Sequence, residues 1–128
     1  AKLTQLSARF KDKTIRRLDI GVFPWHGSLE ISVLLSDDPC DEHDIAAWPH
    51  YNVSQLSEGQ WPEAVDCCKA MQRLWEKDPH LTRPLLELVG NMVKSGSIRS
   101  VIEQFARSED FVCTVFHPDQ QKSTNYAN

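Results

Sequence analysis

From Leu18 to Cys68 the chain carries neither lysine nor arginine, although it has 14 such residues in all, every one of them before or after that stretch. Within it fall Asp19, Glu30, Asp37, Asp38, Asp41, Glu42, Asp44, Glu58, Glu63 and Asp66. The net charge of −4 argues against a nucleic-acid partner. Long apolar runs are also missing. None approaches the ~20 residues of a membrane helix, so no membrane association is expected. The start, Ala1 to Gln5, lacks the apolar core of a secretory signal. No C-x-x-C pair occurs among Cys40, Cys67, Cys68 and Cys113. Adjacent Cys67 and Cys68 diverge on a helix and suit a reduced, buried pair better than a disulfide framework. A reducing, cytoplasmic location is the expectation. Phosphate-binding glycine loops and the H-E-x-x-H and G-x-S-x-G signatures are absent.

What is present describes one globular domain. The chain has 128 residues, 41% hydrophobic and 25% charged, enough to bury roughly two thirds of its unfolded surface. Leu3, Leu6 and Phe10 share one face of a short helix over 3–12. The period then changes to two. Leu18, Ile20 and Val22 alternate with Asp19 and Gly21, and Leu29, Ile31, Val33 and Leu35 alternate with Glu30, Ser32 and Leu34. Pro24-Trp25-His26-Gly27 between them predicts an antiparallel hairpin. A third strand follows around Trp48 to Val53, where Pro49 confines it to an edge or makes it irregular.

Ser57-Glu58-Gly59-Gln60 has the form of a capping box, with Pro62 in the first turn of a helix whose stripe is Trp61, Ala64, Val65, Cys68, Met71 and Trp75. A second helix over 84–94 is expected to bury Leu85, Leu88, Val89 and Met92. A third, over 97–106, turns Ile98, Val101, Ile102 and Phe105 inward. Phe111 to Phe116 reads as the last strand. The polar tail over 119–128 reads as mobile. This order gives an α+β domain spanning 1–128, with a largely antiparallel sheet of three to four strands and helices on one face.

Candidate functional residues fall into three groups. The loop Ser36 to Asp44 holds Asp37, Asp38, Asp41, Glu42 and Asp44, too many acids to bury together. With Trp48 as an aromatic anchor, they form a candidate surface for a basic protein partner. A solvated loop and a core tryptophan are the plain alternatives. The second group, Trp25, His26 and His50, offers a small-ligand pocket with His26 as a base, although no positioned nucleophile accompanies it. The third is chemical: Cys113 four residues before His117 could form a thiolate–imidazole pair, but a cysteine among Phe111, Val115 and Phe116 reads as packing. Cys40, His43 and His50 with Asp37 or Asp41 match no metal-site spacing, so no metal and no cofactor are expected.

Phe23-Pro24-Trp25-His26-Gly27, the strand Ser28 to Leu35, Ala47-Trp48-Pro49-His50-Tyr51 and Gln60-Trp61-Pro62-Glu63-Ala64 together resemble small uncharacterised bacterial proteins. Some relatives of these resemble immunity proteins of polymorphic toxin systems. The resemblance spans about residues 14–118. It implies a cytoplasmic, non-enzymatic inhibitor that covers a basic toxin, and it carries over no catalytic residue. The rival expectations are an enzyme or ligand-binding protein with the His26 pocket, and an oligomeric scaffold component.

Overall fold

The computed structural model describes residues 1–120 and 122–128. Its elements are α1 (Lys2–Arg9), β1 (Ile15–Phe23), β2 (Ser28–Leu35), α2 (Val65–Lys77), α3 (Thr82–Lys94), α4 (Gly96–Ile102) and β3 (Arg107–Thr114). The α+β class holds. The alternation in β1 and β2 forms an antiparallel pair, with Ile20 opposite Ile31 and Phe23 opposite Ser28. The hairpin closes through a short 3-10 turn, Pro24–His26, and Gly27 at φ 59°. A Cβ at Gly27 would crowd Gln72 of α2, whose Nε2 donates to the Trp25 carbonyl. Glycine thus permits both the left-handed turn and the close seat of α2 on the hairpin tip.

The sheet order is β2-β1-β3, and β3 runs parallel to β1. The expected largely antiparallel sheet is therefore corrected to a mixed one. β2 ends beside the start of β1, with Leu35 opposite Ile15, and after three helices the chain re-enters the sheet with Arg107 opposite Ile15. Re-entry at that end dictates the parallel direction. The expected third strand is an irregular segment along β2. It is joined by one antiparallel bridge between Val33 and His50 and by a hydrogen bond from the Val53 amide to the Ile31 carbonyl.

One face of the sheet carries Leu18, Ile20, Val22, Ile31 and Val33. They join Leu6 and Phe10, Met71, Leu86 and Val93, and Ile102 and Phe105 in a single core, so the helices cover that face. Several boundaries differ from expectation. Gly59, at φ 80°, closes a 3-10 turn over Leu56–Glu58, and α2 starts only at Val65 with no side-chain cap, so the capping box does not form. On α3 the buried residues are Leu86, Gly90 and Val93, whereas Leu88 and Met92 are more than half exposed. Leu85 and Val89 do pack against the core, so the expected stripe is rotated rather than reversed, on a helix that is apolar around much of its circumference. Of the cysteine pair only Cys68 is buried.

The choice of face on α3 is tied to the C-terminal segment. The expected mobile tail is docked over residues 122–128, while Gln121 lies outside the described residues. The Asn125 side chain accepts from the Val115 amide at 2.9 Å and donates to the Cys113 carbonyl at 3.0 Å. The Tyr126 amide donates to the Val115 carbonyl, and Tyr126 and Ala127 pack on the core. A Cβ at Gly90 would overlap the Tyr126 backbone, whose carbonyl carbon would lie 2.7 Å away. Gly90→Ala is therefore expected to destabilise the protein by about 1–3 kcal/mol in urea unfolding. Helix propensity alone would favour alanine by about 0.8–1.0 kcal/mol, so a stabilised variant would show that the tail does not pack against α3.

Candidate functional site: a carboxylate-floored cleft

The second face of the sheet points away from that core. Asp19, Gly21 and Phe23 of β1 point there because Leu18, Ile20 and Val22 point to the core. Register places Ser32 opposite Asp19 and Glu30 opposite Gly21. These residues floor an open cleft of about 860 Å³. Its walls come from Tyr51, from His43 to Ala46 at the end of the acidic loop, and from the segment that begins at Phe116 and His117. Gly21 has a local reason to be glycine: a Cβ would meet the Phe23 ring at 2.7 Å, so its absence lets that ring lie over the strand.

Asp19 sits at the centre of this floor, only 4% exposed. On β3, Thr114 is its register partner, and the Thr114 hydroxyl donates to Asp19 Oδ1 at 2.6 Å. Burial pushes the Asp19 carboxyl up to about 7; the Thr114 hydrogen bond opposes this, and the nearby Glu30 charge adds to it. The Tyr51 hydroxyl donates to Glu30 Oε2 at 2.6 Å. Burial, that hydrogen bond and the negative charges of Glu30 and Asp19 push the phenol up to about 12. Tyr51 is thus a fixed hydrogen-bond donor at neutral pH. The cleft carries carboxyls on Asp19, Glu30, Asp44 and Asp119, with Lys122 on its rim.

The acidic loop divides its charges between two tasks. Asp38 Oδ2 accepts from the Leu35 amide at 2.9 Å. Glu42 pairs with Arg17 at 2.5 Å and with Arg16 at 3.8 Å, and Arg16 also donates to the Cys40 carbonyl at 2.9 Å. Asp37, Asp41 and Asp44 are exposed, and Asp44 reaches the cleft. Of the two readings of Trp48, an aromatic anchor for a partner or a core tryptophan, the second holds: it is 3% exposed, and its indole N–H donates to the Asp41 carbonyl at 3.0 Å. It secures the loop from beneath.

The other candidates separate. His26 is exposed at the hairpin tip, and Trp25 packs against Trp75 and Phe23. His50 lies edge-on to Phe10 and bridges Val33. Val33 is five residues along β2 from the tip, a distance of about 17 Å at the usual strand rise. Trp25, His26 and His50 therefore do not form one pocket. Cys113 packs against the core, and burial pushes its thiol up to about 12, unsuited to a nucleophile. His117 lines the cleft, so the two do not pair. Among the described residues no group of three metal-ligating side chains converges, and no helix is long and apolar enough to cross a membrane.

Sequence reasoning missed the floor itself. Asp19 and Glu30 counted among the acids of the cation-free stretch and as polar positions in alternating strands, not as the floor of a site. The available signal was a carboxylate at mid-strand, where acids are disfavoured.

The raised carboxyl gives a signed pH effect. An Asp19 carboxyl at about 7 in the fold, against 3.8 when unperturbed, binds its proton more tightly in the native state. Its stabilising contribution is full below pH 3.8 and is lost as the pH rises to about 7. The loss is on the order of 4 kcal/mol. Asp19→Asn removes the buried charge and keeps an acceptor for Thr114. Urea unfolding should show the variant gaining on the wild type between pH 5 and pH 8. A difference between the two proteins that does not change with pH would contradict the buried, proton-binding carboxyl.

Compared with known proteins, the chain matches no family model, no curated protein and no solved structure.

Proposed function

We propose that the chain is a non-enzymatic protein-binding domain of the immunity type, a cytoplasmic inhibitor that covers a basic toxin with its acidic face. The observation that carries this reading is the continuity of charge: the exposed carboxylates of Asp37, Asp41 and Asp44 lie on one loop, and its Asp44 end opens onto the Asp19–Glu30 cleft. Converging negative charge in a concave surface speeds the encounter with a basic protein. The loop is also held in shape before any partner arrives. Trp48, Asp38 and the Arg16 and Arg17 side chains tie it to β1, to the end of β2 and to itself. A loop already ordered loses less entropy on association.

A second reading, a small-ligand site, is favoured by the size and aromatic lining of the cleft. That site is the cleft and not the hairpin tip.

The first reading is tested by kinetics on whichever protein a pull-down with the tagged chain retains. Replacing Asp37, Asp41 and Asp44 together by asparagine should slow association about three- to tenfold at low salt, and the difference should shrink as salt screens the loop. Stability should change by no more than about 0.5 kcal/mol per site. Equal association rates for wild type and triple variant at low salt would remove the charge argument. Trp48→Ala should instead act on the fold, costing about 3–5 kcal/mol as a buried tryptophan.

A further inference from the structure

The floor of the cleft holds more carboxylate than the fold uses. Asp19 Oδ1 is satisfied by Thr114, but among the described residues Oδ2 has no hydrogen-bond partner, although the residue is 4% exposed and lines the cleft. Glu30 Oε2 accepts from Tyr51, and among the described residues Oε1 has no partner. Asp19 and Glu30 are diagonal neighbours on adjacent antiparallel strands, because Glu30 faces Gly21 and Ser32 faces Asp19. Such neighbours lie about 7–8 Å apart. Gly21 has no side chain to fill the space between them. The rings of Phe23, Tyr51 and Phe116 line the same cleft.

We propose that this cleft is a receptor for a guanidinium group, which Asp19 Oδ2 and Glu30 Oε1 bind from below while the aromatic rings flank it. The proposal rests on the acidic face being a binding surface and names the chemistry it takes. Three features favour guanidinium over other cations. Its five N–H donors in one plane can serve two separated carboxylates at once, which a compact ammonium does less well. It is weakly hydrated and stacks on aromatic rings, so it loses little on entering an aromatic-lined cleft. A metal ion would need more converging ligands than the described residues supply. Two carboxylates held close in a partly buried floor repel one another, and a bound cation relieves that repulsion. The same chemistry can arrive as an arginine side chain on a protein or as a free small guanidine.

The test titrates the 128-residue chain, followed by amide resonances, with four probes: an N-acetylated, C-amidated Gly-Arg-Gly peptide, the same peptide with citrulline or with lysine for arginine, and agmatine. Citrulline keeps the shape and removes the charge. The arginine peptide and agmatine should shift the amides of Gly21, Glu30 and Tyr51, and the citrulline peptide should not. Asp19→Asn and Glu30→Gln should each weaken binding by about tenfold or more, as expected when one member of a charge-assisted pair is lost. Asp19→Asn is expected to fold, and resonance dispersion confirms it in the same spectra; Glu30→Gln alters a half-buried side chain and serves as the second variant. Tighter binding of the peptide than of agmatine assigns the cleft to a protein side chain, and the reverse assigns it to a free guanidine. Equal binding of the citrulline peptide, or of a lysine peptide, overturns the guanidinium assignment. So does the absence of binding at millimolar probe. Salt-dependent association with a captured partner would survive that failure. Conversely, probe binding alongside a salt-independent partner complex would keep the cleft and remove the charge-steered encounter.

Discussion

β1 is hydrogen-bonded on both edges, antiparallel to β2 and parallel to β3, and the direction of each of its side chains follows from that position. A strand locked from two sides cannot slip by one residue without turning its apolar set outward. Leu18, Ile20 and Val22 therefore face the helices, while Asp19, Gly21 and Phe23 face the open side. Asp19 is the residue on which the two faces bear most heavily. It is buried in the sheet by its neighbours and held by Thr114 from a strand 95 positions away in sequence. The fold thus carries a destabilising carboxyl at its centre, and the cleft has its chemistry because of that carboxyl.

Around this floor the chain spends its acids in two ways. Asp38 and Glu42 turn inward to fix the loop, and Asp37, Asp41 and Asp44 turn outward. Arg16 and Arg17, the last cations before the long stretch without any, supply the inward pairs. The apparent absence of positive charge in the sequence is partly closed by the fold. What remains outward is a smaller, ordered acidic surface continuous with the cleft. Electrostatic steering by the rim and desolvated contact in the floor act on different steps of binding, the first on association and the second on dissociation.

Much of the fold was legible in the sequence. The clean period of two in Leu18–Val22 and Leu29–Leu35, closed by Pro24 to Gly27, specifies the hairpin because turn chemistry and burial agree there. The stripe through Cys68 and Met71 marks the buried face of α2, although no side-chain cap fixes its start. What was not legible depends on contacts between distant segments. The parallel pairing of β3 with β1 and the docking of Tyr126 on Gly90 leave no local mark. Several faces of α3 are apolar, and its seat depends on Leu86 and Val93 in the core and on Tyr126 against Gly90. For Trp48 the sequence leaves an anchor and a core residue both open, and the choice is made by the Asp41 carbonyl that satisfies its buried indole. The cleft went unseen because its residues come from two strands, two loops and the tail.

The most direct measurement is the titration of the Asp19 side-chain carboxyl by carbon-detected NMR, assigned with the Asp19→Asn variant. The account requires a midpoint near 7, set by burial beneath the cleft and by the neighbouring Glu30. A midpoint near 4, the ordinary range of a solvated aspartate, would mean that Asp19 is open to water and that the cleft has no desolvated floor.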